Sequence, residues 1–156
     1  TNINILKNDV SAFTRDIFKG GDQFTEEIQR QLHIDFEEAE KIKVGTKIDH
    51  ASEAVVQNII KSASESLAIE VGNSLDFFQS STTYEKISKI YLSGGGAKIK
   101  GFDTILQQQL GTPVEIVNPF KRIEYNEKHF DREYLREVGP LMAVGVGLAS
   151  RKAGDR

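Results

Sequence analysis

The chain has 156 residues, of which 38% are hydrophobic and 28% charged, and its net charge is −3. This describes one folded domain with a sizeable core, not a disordered chain. The acidic balance argues against a nucleic-acid binder that works by phosphate neutralisation, and the absence of cysteine excludes a disulfide framework, a thiolate zinc site and a Cys nucleophile.

In chain order, strands are expected over 4–7 and 12–18, joined by a hairpin turn at Asn8-Asp9 that lacks the Asn-Gly or Asp-Gly signature. Gly20-Gly21-Asp22 breaks this run. A helix follows over 24–32, with Phe24, Ile28 and Leu32 on one face. Asp35 is a plausible N-cap for a second helix through Lys43, with Glu37 and Glu38 in its first turn and Gly45 as its stop. Residues 52–78 carry the longest periodic stripe: Val56, Ile60, Ala63, Leu67, Val71, Leu75 and Phe78. This predicts a core-packing helix about 40 Å long, with Gly72 marking a bend or a close contact.

A loop over 80–85 precedes the strand Ile90-Tyr91-Leu92 and the run Ser93-Gly94-Gly95-Gly96-Ala97. A helix over 102–110 closed by Gly111, a strand over 114–117 halted by Asn118-Pro119, and a charged loop over 121–128 come next. A helix is expected over 130–137 and a last one from Pro140, where Leu141, Met142, Val144, Val146 and Leu148 alternate with small residues. Apolar on every side, that helix is expected to be buried tightly against a neighbour. The element order describes an α/β layer domain in which a hairpin is followed by parallel crossovers. No run approaches the about 18 apolar residues of a membrane span, so a soluble protein is expected. The chain begins inside a strand without an initiator Met, so it is expected to be part of something longer.

The triple glycine carries the strongest chemical signal. Bare backbone can adopt positive φ and can approach a ligand closely. At a strand-to-helix junction, two readings are open: a phosphate or nucleotide resting on the loop, or a tight turn with no ligand. The loop is not a P-loop, because Gly94 to Gly101 lacks the Gly-Lys-Ser/Thr ending, and Ile99 stands where a dinucleotide fingerprint needs its third glycine. His33, His50 and His129 are scattered without metal-ligand spacing, so no metal site is assigned, and no catalytic constellation can be argued. Glu40 and Lys43 are three apart on one helix. They fit either a surface ion pair worth a few tenths of a kcal/mol or a carboxylate and ammonium presented together to a sugar or base.

Several motifs, in order, resemble the second half of actin-like ATPases. They are Thr1-Asn2-Ile3-Asn4-Ile5, Gly20-Gly21 with Thr25, Ala39-Glu40 with Lys43 and Gly45, and Leu92 to Ala97. Asp76-Phe77-Phe78 and Val117-Asn118-Pro119-Phe120 narrow the resemblance to the PilM family of type IV pilus assembly, with the FtsA family of cell division as the alternative.

The resemblance implies a ribonuclease-H-like second domain over 1–150, an incomplete mixed sheet flanked by helices, with a basic tail over 151–156. The first domain and the central strand ahead of Thr1 are expected to lie outside the chain. A fragment so cut is expected to be marginally stable at best.

The implied ligands are ATP and Mg²⁺, with the metal held mainly by parts outside these residues. Gly94, Gly95, Gly96 and Ala97 would lie along the adenosine, and Glu40 and Lys43 would reach the ribose and purine. Thr1 and Asn2 would sit beyond the second phosphate loop, and Gly20 and Gly21 before the helix that walls the cleft. The expected role is an ATP-binding scaffold with weak or no turnover, the chain alone being inactive. It would be cytoplasmic and bound to the bacterial inner membrane through partners: a PilN-like cytoplasmic tail and other pilus machinery, with self-association a further option. Nucleic acid and direct membrane insertion are not expected.

Overall fold

The computed structural model describes residues 1–46, 52–81 and 86–152. His50, most of the loop over 80–85 and the tail beyond Lys152 lie outside the described residues.

Strand β1 (Asn2–Lys7) alternates Ile3 and Ile5 toward the core with Asn2 and Asn4 toward solvent. It pairs antiparallel with β2 (Val10–Asp16), Ile5 opposite Phe13, with a register shift between Ile5 and Leu6. Asn8 and Asp9 form the turn with φ of 51° and 63°. Positive φ at both central positions is what a twisted two-residue hairpin demands, and Asn and Asp are the non-glycine residues that tolerate it best.

Helix α1 (Gly21–Leu32) buries Phe24, Thr25 and Ile28. It ends at His33, which adopts the left-handed conformation at φ 55°. Asp35 caps α2 (Phe36–Lys43) by accepting the Glu38 N–H at 2.9 Å. The far end of α2 is a Schellman motif. Gly45 takes φ 95°, its N–H reaches the Ile42 carbonyl at 2.9 Å, and the Thr46 N–H reaches the Lys41 carbonyl at 2.9 Å.

Helix α3 (Glu53–Ser81) is the spine, and its expected stripe faces inward. Ile60, Ala63 and Leu67 join Phe24, Ile28, Ala39 and Ile42 and, from α4 (Phe102–Leu110), Phe102 and Leu106. Further along α3, Leu75 and Phe78 pack under the hairpin with Ile5. At Gly72, a Cβ would lie 3.3 Å from Leu110 Cδ2, so this glycine marks the close approach of α3 and α4.

Strand β3 (Ile90–Leu92) crosses through α4 to the parallel β4 (Val114–Ile116). Among the described residues the two strand pairs form separate two-stranded sheets, with no ladder between β1 and β3.

The C-terminal region departs from expectation twice. In place of two helices broken before Pro140, one helix, α5 (Arg132–Ala149), runs through it, capped by Asp131. Proline gives up one N–H inside a helix. Here its ring is buried, and its carbonyl accepts the Gly94 N–H at 2.8 Å. At Gly139 the helix lies against the preceding loop, where a Cβ would make ordinary contacts with Asn118 Oδ1 at 3.5 Å and Pro119 Cδ at 3.6 Å.

The second departure is burial. The apolar half of α5 is not covered by the described residues: Val144 is 73% exposed, Leu148 61% and Leu141 50%. Composition predicted that this helix needs an apolar neighbour, but no described residue supplies one.

Candidate functional site

Helices α1 and α2 meet around a buried ammonium. Lys43 is 8% exposed, and its Nζ donates to the Glu40 carboxylate, to Thr25 Oγ1 at 2.9 Å and to the Gly21 carbonyl at 3.4 Å. The Thr25 hydroxyl in turn donates to Glu40 Oε1. The surface-ion-pair reading of Glu40 and Lys43 is therefore corrected. Spacing placed them side by side, but the packing of α2 on α1 carried Lys43 inside, where its hydrogen-bonding capacity is engaged.

Burial pushes the Glu40 carboxyl up, but the Lys43 ammonium and the Thr25 hydroxyl outweigh it and hold the group below the ordinary carboxylate range. A lowered pKa means that the stabilisation is complete above the unfolded value and is lost as pH falls through the folded one. The gap between the urea midpoints of the complete polypeptide and its Glu40→Gln variant is expected to be widest above about pH 4.5, the ordinary Glu value, and to close in more acid solution. A gap that persists unchanged through that range would refute this account of the cluster.

Thr1 and Gly20 form a second group. Thr1 Oγ1 donates to the Lys19 carbonyl at 2.7 Å, and the Ile17 N–H reaches the Thr1 carbonyl at 2.7 Å. Together with Phe18, Asp22, Gln23 and Glu26 they line an open groove of about 480 Å³. Asn2 faces away into a side-chain bond with Asp16 at 2.7 Å.

The third group is the glycine turn. Gly94 has φ 84° and opens a single 3-10 turn (Gly95–Lys98), within which Ala97 is buried. The turn is tied to α5 by the Gly94–Pro140 bond and by a 3.2 Å ion pair between Lys98 and Glu137. A Cβ added at Gly94, Gly95 or Gly96 would meet nothing within 4 Å. Only Gly94 needs glycine for its backbone angle. Neither conformation nor packing within the described chain explains Gly95 and Gly96.

Of the ten residues expected at one site, Gly21, Glu40 and Lys43 share a bonded cluster, and Thr1 and Gly20 share the adjacent groove at the start of α1. No described hydrogen bond or ion pair joins either group to Gly94–Ala97, which are anchored on α5 instead. Thr25, at the centre of the cluster, was not assigned a role. Its signal was a hydroxyl beside the buried Phe24 and Ile28 on the α1 face.

The family model described as "Type IV pilus assembly protein PilM" matches residues 1–153. The chain belongs to the PilM family. The solved structure of a "PilM-PilN type IV pilus biogenesis complex" is similar over 95% of this PilM-family chain, at 31% identity and a TM-score of 0.81. The ethanolamine utilization protein EutJ from Carboxydothermus hydrogenoformans is similar over 95% of the chain at 20% identity and a TM-score of 0.66, which shows the fold alone. The fold is that of the actin-like ATPases, mixed α/β with small sheets flanked by helices, one described strand pair being antiparallel and the other parallel. The chain spans 41% and 43% of the lengths of those two solved chains. The match over 1–153 also favours PilM over the FtsA alternative. Among the described residues no helix is long and apolar enough to cross a membrane.

Proposed function

We propose that these residues are the ATP-binding part of an actin-like scaffold in the type IV pilus assembly platform. The observation that carries this reading is the bareness of Gly95 and Gly96, which no angle and no neighbouring atom within the described chain requires. Glycines left without an internal reason, at a strand-to-helix junction of this fold, fit a ligand that rests on the backbone. The part-exposed Glu40 carboxylate, held in place by Lys43, which also bonds the Gly21 carbonyl, and the groove at Thr1 and Gly20 supply polar groups for the rest of a nucleotide. Asn2 and Ala97 complete the expected set as framework.

Among the described residues no group of three or more His, Asp or Glu gathers. As the family resemblance implies, Mg²⁺ would be held by the ATP phosphates and mainly by residues outside 1–156. A strand from outside residues 1–156, lying between β1 and β3, would join the two sheets into one. The scaffold holds ATP with weak or no turnover. It sits at the cytoplasmic side of the inner membrane by binding the tail of a PilN-like protein, the kind of partner that the similar PilM-PilN complex contains. Equilibrium dialysis of the complete polypeptide against ATP and Mg²⁺ is expected to show saturable binding. No saturation by about millimolar ATP overturns the reading.

A further inference from the structure

We infer that the free edge of β2 is a docking surface for a second copy of this protein, the two β2 strands pairing antiparallel about a two-fold axis at Thr14. Among the described residues β2 pairs with β1 alone. The strand proposed above to join the two sheets lies on the far side of β1, so β2 stays at the edge. Sheet edges are ordinarily guarded by charged side chains or proline. Residues 10–14, Val-Ser-Ala-Phe-Thr, carry neither. Val10 is 67% exposed, and Phe77 of α3, 57% exposed, stands beside Phe13 with ring centroids 6.1 Å apart. An unguarded edge flanked by exposed apolar side chains has the character of an interface.

The register of the hairpin shows which backbone groups are available. The Ile17 N–H bonds to the Thr1 carbonyl at 2.7 Å, so the backbone groups of Ile17 face β1. Alternation along an antiparallel ladder turns those of Arg15 and Phe13, opposite Ile3 and Ile5, toward β1 as well, and those of Asp16 and Thr14 outward. Two Thr14 residues can therefore exchange both backbone bonds across a two-fold axis. That register sets Arg15 opposite Phe13 of the second copy, on the face that also carries Phe77, where a guanidinium can lie over the ring. Moving the axis to Arg15 would place two guanidinium groups opposite each other, which is destabilising. Moving it to Phe13 would set Thr14 against Ala12, the bulge residue that has no partner in β1. Centred on Thr14, the paired segment keeps that bulge at its end. Charge and register are then self-complementary, as an isologous contact requires, and this selects a second copy over an unrelated strand.

The test uses the complete polypeptide without nucleotide, so its outcome does not depend on the ATP-binding reading. Sedimentation over a range of micromolar concentrations is expected to show a monomer–dimer equilibrium. Thr14→Lys sets two ammonium groups opposite each other and is expected to weaken the dimer at least about tenfold, with the monomer still folded by its thermal transition. Thr14→Pro removes the outward N–H without touching the ladder to β1, and the same loss is expected. If the proline variant does not fold, the lysine variant, which keeps the backbone intact, carries the comparison. Thr14→Cys is expected to give, on mild oxidation, a dimer whose disulfide maps to position 14 of both copies. The Cα atoms of a hydrogen-bonded pair lie about 5.5 Å apart, within the reach of a disulfide. A complete polypeptide that stays monomeric, its edge covered by another segment or left for a different partner, overturns the inference. So does a dimer that Thr14→Lys leaves unchanged, or a Thr14→Cys variant that does not link.

Discussion

Gly95→Leu is expected to weaken ATP binding by at least about a hundredfold while moving the unfolding midpoint hardly at all. The two halves of that expectation have separate origins. Residue 95 is exposed, its φ lies outside the left-handed region, and a Cβ there meets no atom within 4 Å. Substitutions at surface positions of this kind usually stay within about 0.5 kcal/mol of neutral. If a nucleotide rests on that backbone, however, a leucine side chain occupies the space of the ligand itself, and a hundredfold loss is about 2.7 kcal/mol of binding. Gly94→Leu is the contrasting variant. At φ 84° any side chain is strained, so stability should fall together with binding. Dialysis against ATP with urea unfolding of the same samples in the complete polypeptide separates these effects. Normal ATP affinity in Gly95→Leu would reduce the triple glycine to a turn and remove the observation on which the ATP reading stands.

What could be read from the sequence was local. Asp35, Gly45 and Gly111 act on the backbone within a turn of themselves, and each ends or begins a helix where its chemistry says it should. The α3 stripe was legible because period 3.6 is a property of one helix. Asn8-Asp9 showed its turn through residue type alone, without the usual glycine. Pro140 misled because the local cost of a proline inside a helix, about 3 kcal/mol, is opposed by the burial of its ring and the packing of α5 beside Asn118 and Pro119, which sequence spacing does not reveal. The exposure of Leu141, Val144 and Leu148 could not be foreseen, since composition says that a helix needs an apolar neighbour but not whether the same residues provide it.

The candidate site divided along the same line. That Glu40 and Lys43 are neighbours follows from i,i+3 geometry. That Lys43 is buried follows from where α1 lies, and this no spacing reveals. Thr25 appears in the sequence only as part of a motif, without a role of its own, because a hydroxyl in an apolar stretch of helix is commonplace. Only the placement of two side chains from another helix around it gives it a role.

The path from that cluster to the core runs through the residue next to Thr25. Phe24→Ala is expected to cost about 3–5 kcal/mol of stability, a large part of what a domain of this size has to lose. Phe24 is 1% exposed and meets Phe102 of α4 edge-on, with ring centroids 5.7 Å apart and planes at 74°. Truncation removes both the buried area and the aromatic contact, and close packing leaves a cavity that the neighbours fill only in part. Phe102→Ala should cost a similar amount, because that side chain is buried from the opposite side of the same contact. If the ring contact is itself stabilising, the two losses are not independent: the double variant should be less destabilised than the sum of the singles by about 0.5–1.5 kcal/mol. Urea unfolding of the four proteins measures this coupling. Strict additivity would mean that α1 and α4 share only general apolar burial. A measured coupling would instead show that the Phe24–Phe102 ring contact adds to the general apolar burial by which α1, and with it Gly21 and Thr25, is held in the core.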